Sequence, residues 1–160
     1  MQPIVGVAHI TERADSVAPV QDWEAFLGAA KSMDIGIRIL AQSLPDATLP
    51  LAILCGQAAE CGLKALLSHS GIKTNVLRSK SLGHNLVALW IAAASDAKLQ
   101  PSLPPAWIEQ LGRVHGGPYV IRYPMGVHGI VLPATQPMLE GTAELLSFAQ
   151  ARLTTGLMST

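Results

Sequence analysis

Charge is scarce in this 160-residue chain: 14% of residues are Asp, Glu, Lys or Arg, against about 25% in an average soluble domain. Aromatics are scarcer still, at 4%. Hydrophobic residues make up 49%, and the mean hydropathy is +0.35. Disorder needs low hydrophobicity and high net charge, so this composition excludes it. With so few aromatics, alanine and leucine must carry the core, which points to close-packed helices rather than a β-sandwich. So large an apolar surplus over charge also predicts a buried self-interface. Long unbroken apolar runs are absent too. The longest, Leu86 to Ala94, falls well short of the about 20 residues that cross a bilayer. The opening Met1-Gln2-Pro3-Ile4-Val5 lacks the cationic stretch of a secretory signal. A cytoplasmic setting with no membrane partner is expected.

Cysteine is limited to Cys55 and Cys61. They share one helical stretch, and steps of about 100° per residue place them roughly 120° apart around its axis. They are expected to be unpaired residues of a reducing compartment. The sequence has no HExxH, no Cys-x-x-Cys and no acidic cluster, and it has no Walker loop, GxGxxG or GxSxG. No metal and no cofactor are therefore expected.

Net charge is zero, which excludes a histone-like polycation. The distribution is uneven, however. Residues 1–60 hold three bases against seven acids, a net of −4; residues 61–139 hold seven against two, a net of +5; residues 140–160 come to −1. Four of the five histidines lie in the positive middle. A neutral total thus conceals a stretch suited to phosphate.

Hydrophobic spacing outlines the domain. Residues 1–21 show no period and read as an N-terminal arm; residues 22–155 read as one helical domain. Asp22 suits an N-cap, and Phe26, Leu27, Ala30, Met33, Ile37 and Leu40 give a helical stripe over Trp23 to Ser43. A second helix is predicted from Pro50 to Ser70, with Gly71 as its stop. Its small residues, Gly56 and Gly62 above all, predict that another helix crosses closely, since glycine inside a helix costs about 1 kcal/mol against alanine. Residues 72–83 read as a polar, basic loop, and Leu86 to Ala97 as a third helix. Pro101 to Pro105 reads as a linker. A fourth helix starts at Pro105 or Ala106 and ends near His115, where Gly116-Gly117-Pro118 stops it. Tyr119 to Tyr123 and Val127 to Leu132 read as extended, a short hairpin or structured loop within 119–132. The last helix is predicted from Pro137 to Thr154, with Leu139, Leu145, Leu146, Ala149 and Leu153 inward.

Against this frame, the polar residues Gln57, Glu60, Lys64 and Ser68 fall on one face of the second helix. Glu60 and Lys64 make either an exposed salt bridge or a charged pair lining a cleft or seam. His84, at the start of the third helix, either caps and packs there or faces a cleft near the basic residues Lys73, Arg78 and Lys80. Arg122 and His128 have five residues between them; arginine stabilises phosphoryl charge and histidine moves a ribose hydroxyl proton.

The block Leu54-Cys55-Gly56-Gln57-Ala58-Ala59-Glu60-Cys61-Gly62-Leu63-Lys64-Ala65-Leu66-Leu67, then Gly83-His84-Asn85-Leu86 and Arg122-Tyr123-Pro124, resembles the HEPN domain family over roughly residues 23–153. The resemblance implies an all-α, up-down bundle of about five helices that pairs into a homodimer. For active members it implies a metal-independent endoribonuclease with an Arg-x4–6-His motif, which Arg122 and His128 satisfy here as catalytic residues. Glu60, Lys64, His84, Lys73, Arg78, Lys80 and Tyr123 would then line the cleft or bind. Tyr123 stands where the family usually has a polar residue, and Pro124, Gly126 and Gly129 disfavour a helix at the motif. Relatives of that kind include non-catalytic scaffolds that bind a nucleotide, an anion or a partner, and toxin halves paired with a nucleotidyltransferase-type antitoxin. Two functions are thus expected: an RNA-acting homodimer, or a nucleotide-, anion- or partner-binding scaffold.

Overall fold

The computed structural model describes residues 20–116 and 129–155. Among these the chain forms six helices and no strand: α1 (Asp22–Ser43), α2 (Thr48–His69), α3 (Thr74–Leu77), α4 (Leu86–Asp96), α5 (Ala106–His115) and α6 (Thr135–Thr155). This is the all-α bundle expected. The expected arm lies mostly outside the described residues, and so does most of the expected hairpin's span. Residues 129–134, its tail, form neither helix nor strand.

α1 begins one residue earlier than its spacing implied. Gln21, not Asp22, is the N-cap, and its backbone N–H donates to Glu24 Oε2 at 2.9 Å. Glutamate three residues after the cap takes one of the backbone donors that a helix start leaves unpaired. Leu27, Ala30 and Ile37 form the buried stripe.

α2 is the hub. It packs along α1 and touches α3, α4, α5 and α6, and thirteen of its residues are buried. By length and composition alone it is apolar enough to cross a membrane, and it is the one such helix among the described residues. Here that apolar surface is covered by the other helices: 72% of its most apolar window is buried. Its end is set by Gly71, whose φ of +97° lies in the left-handed region. The Gly71 N–H donates to the Ser68 carbonyl and the Ile72 N–H to the Leu67 carbonyl, both at 3.0 Å. This is the Schellman arrangement, and it turns the chain away from α2.

The basic loop holds a helical turn that the sequence did not announce. α3 is four residues long, and its Leu77 is fully buried. α4 is capped by Asn85, whose Oδ1 accepts the Ala88 N–H at 3.1 Å. α5 shows its apolar stripe clearly, with Trp107, Ile108, Leu111 and His115 buried. Trp90 and Trp107 meet edge to face, with ring centroids 6.3 Å apart, and join α4 to α5. α6 lays Met138, Leu145, Leu146, Ala149 and Leu153 into the core.

The predicted close crossing on α2 is present at both glycines. A Cβ at Gly62 would meet Leu146 Cδ2 of α6 at 2.8 Å. A Cβ at Gly56 would meet His115 Nδ1 of α5 at 2.5 Å. The second of these is also what builds the site.

Candidate functional site

Four polar side chains converge where α2, the α3–α4 turn and the end of α5 meet. Glu60 sits at the centre, with its side chain 6% exposed. Its Oε1 accepts from Lys64 Nζ at 2.7 Å. Its Oε2 lies 2.9 Å from His84 Nδ1 and 2.8 Å from His115 Nε2. The two imidazoles face each other edge-on, with centroids 6.4 Å apart. Lys64 and His115 are as buried as Glu60, whereas the His84 side chain is 41% exposed. Phe26 of α1 covers Lys64 from outside, its ring centroid 6.0 Å from Nζ.

The Glu60–Lys64 pair is thus not an exposed salt bridge; it belongs to the core. Burying two charges is costly unless both are paired and hydrogen-bonded, and here each partner supplies what the other needs. Burial alone would push the Glu60 carboxyl up. The hydrogen bonds from His115, Lys64 and His84, with the Lys64 charge, more than reverse that and hold it at about 2. Glu60 is therefore a fixed anion at any ordinary pH.

Local structure delivers the two histidines. In the turn after α3, the Gly83 N–H donates to the Ser79 carbonyl at 2.7 Å, and a Cβ at Gly83 would lie 2.8 Å from that oxygen. Only glycine permits so tight a turn, and the next residue, His84, is aimed at Glu60. His115 arrives as the last residue of α5, on the same stripe as Ile108 and Leu111.

Outside His84 the surface opens into a cleft of about 580 Å³ lined by Arg78, Ser79, Lys80, Gly83, His84, Asn85, Gly112 and Gly116. Two exposed cations, Arg78 and Lys80, flank it. The expected basic loop therefore does meet His84. Lys73 caps α3 and is not among the lining residues. Arg122, Tyr123 and His128 lie outside the described residues.

The sequence reading did not single out His115. Its partner Glu60 is 55 positions away, beyond any local motif. One signal was available: a histidine continuing the inward stripe of α5, opposite a helix notched by Gly56. No metal motif in the sequence marks the cluster either, because Glu60, His84 and His115 come from three separate elements. In the fold their donor atoms lie within 4.8 Å of one another.

Both cysteines are free. Burial pushes the Cys55 thiol up to about 11, and burial with the neighbouring Glu60 charge does the same for Cys61. Neither is a nucleophile at neutral pH.

Comparison of the chain with protein-family models, with curated proteins and with solved structures returns no match.

Proposed function

We propose that this chain is a HEPN-like, cytoplasmic homodimer that binds the phosphate groups of a nucleotide or RNA in the cleft beside His84. The observation that carries this reading is the juxtaposition of Arg78, Lys80 and His84 around one cleft. Arginine and lysine recognise phosphate by charge and hydrogen bonding. His84, held 2.9 Å from Glu60 Oε2 by its Nδ1, lines the same cleft as the two cations. For the homodimer, support comes from the outer face of α1, where Ile35 and Ile39 are each 60% exposed one turn apart.

Calorimetric titration with a nucleoside monophosphate and with a short RNA tests the binding. A saturable heat that disappears in the Arg78→Ala/Lys80→Ala double variant supports it. A flat trace with both ligands refutes it.

A second reading adds cleavage. Arg122 and His128 keep the spacing of the metal-independent RNases, and Arg122 follows the cleft residue Gly116 by six positions in sequence. In this reading Arg122 stabilises the phosphoryl charge and His128 is general base or acid. Such a protein would be the toxin half of a pair with a nucleotidyltransferase-type antitoxin. RNA cleaved in EDTA by the parent chain and not by His128→Ala supports this. Equal cleavage by both removes His128 from the chemistry.

A further inference from the structure

We infer that Glu60, His84 and His115 form a binding site for a divalent transition-metal ion of the Zn²⁺ class. The inference goes beyond phosphate binding and does not depend on it, since the three donors stand together whether or not an anion enters the cleft.

The donor set is the first reason. Two imidazoles and one carboxylate match ions of borderline softness and not Mg²⁺ or Ca²⁺, which seek oxygen ligands. The second is convergence. Glu60 Oε2 is already 2.9 Å from His84 Nδ1 and 2.8 Å from His115 Nε2. Ligand atoms about 2.1 Å from a tetrahedral ion stand about 3.4 Å from one another. The two oxygen–nitrogen distances therefore need to open by only about half an ångström. His84, half-exposed on a turn, can supply that movement.

The surroundings are the third reason. Lys64 holds Oε1 at 2.7 Å, so Glu60 offers Oε2 as a single ligand atom. The His115 ring is seated in the notch of Gly56, which limits its rotation and presents Nε2. Second contacts of this kind orient metal ligands and raise affinity. On binding, the hydrogens between the rings and Oε2 give way to the ion, and each neutral imidazole carries its proton on its other nitrogen: Nε2 in His84, Nδ1 in His115. Three protein ligands leave a tetrahedral ion one position for water or another ligand, as catalytic sites do and closed structural sites do not.

The test uses the full chain, stripped by chelator and titrated with Zn²⁺ against a competing indicator, and with Co²⁺ as an absorbing substitute. One equivalent of Zn²⁺ per chain is expected, with the visible absorption of four-coordinate Co²⁺. His84→Ala, a change at a half-exposed turn, should weaken binding at least about tenfold while circular dichroism shows the helices intact. His115→Gln should do the same where it folds. His69→Ala, which alters an exposed histidine elsewhere, should bind as the parent does. The Arg78→Ala/Lys80→Ala variant should also keep its metal, which separates this inference from the phosphate reading. No Zn²⁺ uptake by the parent overturns the inference, and so does unchanged affinity in His84→Ala.

Discussion

His115 occupies the space in α2 where Gly56 has no side chain: a Cβ there would lie 2.5 Å from its Nδ1 and 3.1 Å from its Cε1 and Cγ. The contact joins packing to chemistry, because the same ring donates to Glu60.

Gly56→Ala therefore has two opposed effects. Alanine favours the helix by about 1 kcal/mol over glycine. The methyl must displace a ring that is 1% exposed, and overpacking of that kind costs typically 1–3 kcal/mol. A net loss of stability is expected. Gly28→Ala in α1, where nothing lies within 4 Å, should instead stabilise by about 0.5–1 kcal/mol. Urea unfolding of the two variants should move the midpoint in opposite directions.

The Glu60 carboxyl gives a pH prediction for the metal-free protein. Its folded value, about 2, lies below its ordinary 4.5. Its contribution is therefore complete above about pH 4.5 and is lost as pH falls toward 2. The difference corresponds to an order of 3 kcal/mol. The groups facing it are Lys64 on its own helix, His84 on the turn and His115 on α5. Unfolding free energies between pH 2 and 5 should rise less steeply in Glu60→Gln than in the parent.

Lys64→Met leaves a buried carboxylate without its cation, and breaking a buried pair at one end costs about 3–5 kcal/mol. Removing the partner too relieves part of that loss. The Glu60→Gln/Lys64→Met double variant should be more stable than the sum of the single losses implies, as a double-mutant cycle in urea reads directly. Simple additivity would mean that the two charges do not sense each other.

Cys55 and Cys61, with thiols near 11 against an ordinary 9.0, should hold about a hundredfold less thiolate than free thiols at neutral pH. Ellman's reagent should react slowly with the folded chain and release the signal of both thiols on unfolding. Rapid reaction of either in the native state contradicts the burial described.

Most of the scaffold was legible because helical stripes repeat every three or four residues, as in Leu27, Ala30 and Ile37 or Leu145, Ala149 and Leu153. The Gly71 stop and the close crossings at Gly56 and Gly62 were legible too, since each rests on a backbone requirement of glycine. α3 was not, because a four-residue helix with one buried leucine has no period to detect. The depth of Glu60 and Lys64 was hidden as well. An i, i+4 ion pair has the same spacing on a wet face as on a dry one, and only the packing of α5 and the α3–α4 turn over it decides which. His84 was found through its neighbours in sequence. His115 was missed because its partners are neighbours only in space.

The central claim is that the cleft beside Glu60 is a ligand site, and the imidazole of His84 reports on it most directly. In an NMR titration of the labelled protein with a nucleoside monophosphate, the His84 ring signals should shift and saturate while those of the distant His69 stay in place. Unmoved His84 signals, or equal unsaturated drift at both rings, would contradict the account.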